Sequence, residues 1–164
     1  MQDSIKARAR LEVKHLRPYD YDEKSGLWLY REIHREEAYN LVTDTGRVQL
    51  HTFCYGTASR ANGFNFIALS NDGTAPAVGD TTLTGELSGN GLTRAQGTVT
   101  LPTGNGTVTT IARTFTYTGA SQQVQKTALF DLVALGVMNH EILFTPRTLL
   151  LNDQLAMTFS VTLS

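Results

Sequence analysis

The stretch from Leu155 to Leu163 reads LAMTFSVTL, and it alternates strictly between apolar side chains and small or hydroxylic ones. Successive side chains of a strand point to opposite faces, so this pattern predicts a β-strand with one dry face. Such a strand cannot bury its apolar face alone. The preceding chain is therefore expected to supply the opposing layer of a β core.

The composition fits one soluble globular domain spanning residues 1–164. The chain has 164 residues, of which 41% are hydrophobic and 18% are charged. A net charge of -1 gives no long-range attraction to polyanions, so we expect no nucleic-acid and no membrane partner. A single cysteine, Cys54, excludes an intrachain disulfide and is expected to be a small buried residue. With no long apolar run, we expect synthesis in the cytoplasm.

Short alternating segments separated by turn residues run along most of the chain. They predict strands at residues 5–16, 27–35, 63–70, 92–101, 107–117, 123–132, 137–144 and 155–163. Thr43 or Asp44 is placed to cap one short helix near residues 44–55, and residues 81–87 predict a single helical turn. Strands joined by short turns indicate an all-β fold, an antiparallel β-sandwich or jelly roll of about eight strands.

Charge is concentrated at the start of the chain. Residues 1–56 hold nine of the 14 basic and nine of the 15 acidic residues. Residues 1–36 are therefore interpreted as a charged β-hairpin or arm, which is either a solvated face or a surface that docks on a partner subunit. Trp28 is expected to pack beneath the sheet. The candidate partner-binding residues are Arg8, Arg10, Arg17, Tyr19, Tyr21, Arg31 and Arg35.

No arrangement of residues points to catalysis or to a cofactor. The chain contains neither Gly-x-Ser-x-Gly nor a Walker loop, and its four histidines are widely spaced. Asp72 and Asp80 flank a Gly-rich loop that a calcium ion could occupy, although turn and capping roles explain them better. His140 and Glu141 are expected to have one side chain exposed and the other hydrogen-bonded at a sheet edge. We therefore expect a protein that is not an enzyme, with no catalytic residue, cofactor or metal.

Three parts of the chain resemble a pattern found in small structural proteins of tailed bacteriophages. The segment Phe66–Ser70 with the following Gly73–Ala77 and Asp80–Leu87 resembles the core strand and shaped loop of that family. The segment Asn40–Gly46 is similar to the entry into its one helix. The segments Ala128–Phe130 and Glu141–Pro146, with the final strand, resemble its closing half. The resemblance covers roughly residues 39–164.

This resemblance implies a virion protein, most of all a capsid decoration (cement) protein that bridges neighbouring capsid subunits. The implied partners are the major capsid protein or other virion proteins, and the chain is expected to form a homo-oligomer. A neck, tail or fibre-associated component is the first alternative. A carbohydrate-binding module for the host surface, using Tyr19, Tyr21 and Tyr55, is the second.

Overall fold

The computed structural model describes residues 7–39, 41–43, 46, 63–102 and 108–163. Ten strands lie in this part of the chain. They are β1 (Ala7–Asp22), β2 (Leu27–Tyr39), β3 (Leu41–Val42), β4 (Phe66–Ser70), β5 (Ala95–Gln96), β6 (Thr98–Thr100), β7 (Val108–Thr116), β8 (Ser121–Phe130), β9 (Met138–Leu150) and β10 (Gln154–Leu163).

The strands form two five-stranded sheets. The first sheet has the order β2-β1-β10-β7-β6, and the second has the order β3-β9-β8-β4-β5. Every strand pair is antiparallel. The predicted all-β fold is confirmed as a β-sandwich, with ten described strands where about eight were expected.

The terminal strand β10 lies at the centre of the first sheet and supplies its core side chains. Leu155, Met157 and Phe159 are at most 1% exposed, as the alternation predicts. They pack in one cluster against the inner faces of both sheets. The other large members of this cluster are Leu11, Val13, Ile67, Leu69, Leu92, Ile111, Phe115, Tyr117, Leu129, Ile142, Phe144 and Leu149.

The outer face of the second sheet is covered by the chain that links β4 to β5. Leu83 from this segment is buried against Ala68, Ala128, Phe130 and Met138. The helical turn expected at residues 81–87 is absent, because this stretch forms bends, a turn and a single bridge between Ser70 and Glu86. The second sheet is thus covered on both faces.

The expected helix near residues 44–55 lies outside the described residues except at Gly46, which is helical. The Thr43 hydroxyl oxygen accepts a hydrogen bond from the Gly46 backbone N–H at 3.1 Å, which is the capping contact predicted for this position. Among the described residues, no helix has the length and apolarity needed to cross a bilayer.

Candidate partner-binding surface

The N-terminal hairpin extends beyond the sandwich as a two-stranded ribbon. Pairing of β1 with β10 ends at Leu16 opposite Gln154, whereas pairing of β1 with β2 continues to Asp22 opposite Leu27. We call residues 17–31 the ribbon. Six strand residues at about 3.3 Å each carry it roughly 20 Å past the sheet. The sequence predicted a long polar tip of turn formers and charges over residues 17–26, but the strands continue and only residues 23–26 form the turn.

Both faces of the ribbon expose large apolar side chains. Tyr21 and Trp28 are cross-strand neighbours, with ring centroids 5.2 Å apart in an edge-to-face arrangement. Tyr19 is 58% exposed and Trp28 is 48% exposed, so the expectation that Trp28 packs beneath the sheet is wrong. Exposed apolar side chains also include Leu27 and Leu29. Several large apolar side chains exposed together in one short segment are typical of an interaction site.

A buried carboxylate fixes the base of the ribbon to the sandwich. Asp153 lies in the turn between β9 and β10 and is fully buried. Its oxygens accept hydrogen bonds from Arg17 Nε at 3.0 Å and Arg17 Nη2 at 2.9 Å. They also bond His15 Nε2 at 2.8 Å and the Leu150 backbone N–H at 2.9 Å. The ribbon therefore leaves the sandwich in a defined direction.

The pKa values at this anchor follow from burial and hydrogen bonding. Burial acts to raise the pKa of Asp153, but the bonds from Arg17, Leu150 and His15 outweigh it and lower that pKa. Burial lowers the pKa of His15 despite the neighbouring carboxylate. The hydrogen bond to Asp153 raises the pKa of Arg17. The anchor thus holds an ionised Asp153 and a charged Arg17 together with a neutral His15.

A second carboxylate ties β2 to the opposite sheet. Glu36 accepts hydrogen bonds from the Thr145 backbone N–H at 2.8 Å and the Thr145 hydroxyl at 3.0 Å. Its other oxygen lies 3.3 Å from Arg147 Nη2 and 3.2 Å from His34 Nε2. The hairpin is consequently an integral part of the sandwich up to the base of the ribbon.

The arginines predicted to meet a partner have different surroundings. Arg10 pairs with Glu37 at 3.0 Å, Arg35 pairs with Glu12, and Arg17 is held by Asp153. Arg31 is exposed, lies in register with Arg17, and forms no ion pair with the described residues. Arg8 lies in β1 opposite Thr162. Tyr19, Tyr21 and Arg31 are therefore the predicted site residues that the ribbon presents freely.

A buried ionic cluster lies beneath the Gly-rich loop on the outer face of the second sheet. Lys126 is 2% exposed, and its ammonium nitrogen lies 2.5 Å from Asp72 Oδ2 and 3.3 Å from Glu141 Oε1. Burial and the nearby Asp80 raise the pKa of Glu141 to about 7, against the effect of Lys126. The salt bridges anchor the loop that covers this face. The sequence signal for the cluster is a lone lysine in the predicted strand at residues 123–132.

His140 and Glu141 are both buried, contrary to the expectation that one is exposed. β3 pairs with β9 at this point, so neither residue is at a sheet edge. Burial lowers the pKa of His140 to about 4, and neither ring nitrogen has a hydrogen-bond partner among the described residues. In the same part of the chain, no three His, Cys, Asp or Glu side chains group as metal ligands. Asp80 instead accepts a hydrogen bond from the Ala77 backbone N–H at 2.7 Å.

Comparison with known proteins adds no assignment. A scan against protein-family models and searches of curated proteins and of solved structures found no match to this chain.

Proposed function

We propose that this protein is a non-enzymatic structural component of a tailed-phage virion, and that it acts as a capsid decoration protein. In this role it bridges neighbouring capsid subunits and adds buried area to the shell. The observation that carries the proposal is the ribbon, an anchored projection that exposes three aromatic and two aliphatic side chains, Tyr19, Tyr21, Leu27, Trp28 and Leu29. The resemblance of residues 39–164 to small phage structural proteins supports the choice of a virion.

The ribbon suits adhesion for a physical reason. Tyr and Trp bury large area at little entropic cost, and they are the residues most enriched at the energetic centres of interfaces. The Asp153 anchor orders the ribbon before binding, so less freedom is lost on docking. Arg10, Arg17 and Arg35 form ion pairs within the chain. We therefore assign the binding affinity for the partner to the Tyr21–Trp28 pair and the orientation of the bound partner to Arg31.

A binding assay with particles depleted of this protein tests the role of the ribbon. Trp28→Ser combined with Tyr21→Ser is expected to weaken binding by about 30-fold or more, because hot-spot residues contribute at least about 2 kcal/mol. The matched control is Tyr39→Ser, since Tyr39 is an exposed aromatic on the same strand but outside the ribbon. Unchanged binding of the double variant would show that the ribbon is not part of the interface.

Copy number per particle distinguishes the capsid from other locations in the virion. Hundreds of copies are expected for a decoration protein, and a dozen or fewer would favour the neck, tail or fibre alternative. Light scattering of the purified protein tests the proposed homo-oligomer.

The exposed Tyr21–Trp28 pair also favours one alternative from a different class, a carbohydrate-binding module. Tyr55, which that reading also used, lies outside the described residues. A glycan-array signal that disappears in the double variant would support this alternative.

A further inference from the structure

The buried ionic cluster brings an amine and two carboxylates together from three neighbouring parts of the second sheet. Lys126 lies on β8, the middle strand, and pairs with Ser70 at the end of β4. Asp72 follows Ser70 by two residues. Glu141, on β9, lies opposite Ala128, two residues along β8 from Lys126. Side chains two residues apart share a face of a strand, so the three groups meet on the outer face of this sheet.

The amine and the carboxyl group of the closest pair are in contact, and water has little access to them. Lys126 Nζ lies 2.5 Å from Asp72 Oδ2 and 3.3 Å from Glu141 Oε1. The side chains of Lys126 and Glu141 are each 2% exposed, and that of Asp72 is 19% exposed. Lys14 lies 3.6 Å from Glu12, but these two side chains are 33% and 21% exposed. The Lys126–Asp72 pair is thus closer and drier than the Lys14–Glu12 pair.

The chain around Asp72 is held in place, so its carboxyl group is aimed at the amine. The Asp72 N–H donates to the Ser70 hydroxyl oxygen at 2.9 Å. The Asn71 carbonyl oxygen accepts a hydrogen bond from Gln125 Nε2 at 2.6 Å. Thr74 Oγ1 donates to Asp72 Oδ1 at 2.9 Å, which leaves Oδ2 for the amine. Two groups held at contact in a fixed orientation react as if each were present at very high concentration.

Burial favours a neutral product at this site. Two charges that are taken out of water carry a desolvation cost, which their mutual attraction offsets only in part. Condensation of an ammonium with a carboxylate gives one amide and one water, so it removes both charges from the interior. The fold thus supplies the orientation and the dry surroundings that this reaction lacks in bulk water.

We propose that Lys126 and Asp72 become joined by an isopeptide bond, and that Glu141 carries a proton between the reacting nitrogen and oxygen. The reaction needs no other reagent, and the inference is independent of the proposed function. The bond joins positions 54 residues apart. It fastens the loop that covers the outer face of the second sheet to the middle strand of that sheet.

The two groups begin as ions. Burial acts to lower the pKa of Lys126, but the Asp72 and Glu141 carboxylates outweigh it and raise that pKa. The hydrogen bond from Lys126, followed by that from Thr74, lowers the pKa of Asp72. The first step is therefore the transfer of one proton from Lys126 Nζ to Asp72 Oδ2, which leaves a neutral amine beside a carboxylic acid. Burial penalises the ion pair, so this transfer costs less here than in water.

The remaining steps conserve every atom. The nitrogen lone pair forms a bond to Asp72 Cγ, and the carbonyl electron pair moves to Oδ1, which the Thr74 hydroxyl stabilises. The nitrogen then passes one proton to Glu141 Oε1. As Oδ1 re-forms its double bond, the bond between Cγ and Oδ2 breaks, and Glu141 returns the proton to the departing hydroxyl. The products are one amide, one water and an unchanged Glu141.

Glu141 is suited to carry this proton. It lies within 3.3 Å of the nitrogen that must lose the proton. Burial and the nearby Asp80 raise the pKa of Glu141 to about 7, against the effect of Lys126. Both the carboxylate that accepts the proton and the acid that returns it are therefore populated at neutral pH.

Mass spectrometry of the purified protein tests the bond. The joined chain is expected to weigh about 18 Da less than its sequence requires, which is the mass of one water. After digestion with trypsin, residues 61–94, which contain Asp72, are expected in one linked product with residues 114–147, which stay uncut at Lys126. The full sequence mass, with the two peptides separate, would overturn the proposal.

A second reaction that loses one water is distinguished by the same digest. Asp72 is followed by Gly73, and an Asp-Gly sequence can cyclise to a succinimide within a single peptide. Lys126→Arg keeps a positive charge but has no amine that can form the bond, so it is expected to retain its full sequence mass. A mass loss that stays within residues 61–94 of the parent, and recurs in Lys126→Arg, would identify the succinimide and overturn the isopeptide bond.

The role of Glu141 is tested by the rate of joining, followed in samples withdrawn during cell-free synthesis. Glu141→Gln keeps the shape of the side chain but cannot carry the proton, so it is expected to slow joining by about 100-fold or more. Glu12→Gln, beside the more exposed Lys14, is the control and is expected to join at the parent rate. Joining of Glu141→Gln at the parent rate would overturn the role of Glu141. The linked peptide is sought in the parent, so the bond itself is tested even where a variant does not fold.

Discussion

Replacing Asp153 with alanine removes the carboxylate that fixes the ribbon to the sandwich. The side chain is fully buried and takes part in four hydrogen bonds, two of them with the Arg17 guanidinium. Removing one partner of a buried ion pair costs about 3–5 kcal/mol. Arg17 retains 35% of its side-chain exposure, so water can solvate part of its charge after the substitution. We therefore expect a loss of about 3 kcal/mol in the free energy of unfolding.

Urea denaturation at pH 7 measures this loss, which is a large share of the roughly 5–15 kcal/mol typical of a domain. The control is Asp20→Ala, because Asp20 is exposed and, among the described residues, its carboxylate accepts a hydrogen bond only from the neighbouring Tyr21 N–H. The control is expected to stay within about 0.5 kcal/mol of the parent protein. Hydrogen exchange should also rise in the ribbon of Asp153→Ala, because its base is no longer held.

The difference in stability between the parent and Asp153→Ala should depend on pH in one direction. The folded-state pKa of Asp153 is lowered, so its contribution is present above the unfolded pKa of about 3.9 and is lost as pH falls through the folded pKa. The gap in stability between parent and Asp153→Ala should therefore narrow under strongly acidic conditions. A gap below about 1 kcal/mol at pH 7 would refute the reasoning about the anchor.

Three further predictions concern the core and its buried titratable groups. Phe159→Ala should lower the free energy of unfolding by about 3–5 kcal/mol, because Phe159 is buried in the core. Thr158→Ala, on the other face of β10, should lower it by less than about 1 kcal/mol, and equal losses in urea titrations would contradict the core assignment. The folded-state pKa of His140 is lowered to about 4, so the stability of the parent relative to His140→Leu in urea titrations should fall by up to about 3 kcal/mol as pH falls from about 6.5 to 4; a constant difference would contradict it. The folded-state pKa of Glu141 is raised to about 7, so the stability of the parent relative to Glu141→Gln should fall by up to about 3 kcal/mol as pH rises from about 4.5 to 7; a constant difference would count against burial as the cause. The two contributions oppose each other in the parent, so each is measured as a difference between parent and variant.

The strands that the sequence predicted well have one buried face and no interruption. Leu155, Met157 and Phe159 of the alternating terminal stretch are buried core residues, and Val161 is partly buried against them. An alternation of apolar and polar residues is easy to recognise where only one face of the strand is buried. The first strand of the N-terminal hairpin was predicted from the looser alternation of residues 5–16, in which Leu11 and Val13 are buried.

The predictions failed where glycine or proline acts through tertiary structure. The strand predicted at residues 92–101 is divided at Gly97 into two strands that belong to different sheets. A Cβ at Gly97 would lie 2.7 Å from Ile111 Cγ2, so the absence of a side chain lets the chain cross there. The strand predicted at residues 137–144 is longer than expected, because β9 continues through Pro146 to Leu150. The register shifts between Val124 and Lys126, and Pro146 lies in this irregular segment, where its missing donor costs no regular ladder bond.

The candidate partner-binding surface was only partly predictable, because the exposure of its residues depends on where neighbouring strands end. Tyr19 and Tyr21 stand out because aromatic residues beside turn formers favour an exposed tip. Trp28 was assigned to the core because the sequence does not show that β10 ends before the ribbon begins.

The central claim is that the ribbon docks this chain on other proteins of a virion, and an image reconstruction of the intact particle at side-chain resolution tests it most directly. We expect hundreds of copies on the capsid, with the ribbon seated on neighbouring capsid subunits. Particles that lack the chain, or copies attached by another surface with the ribbon in solvent, would contradict it.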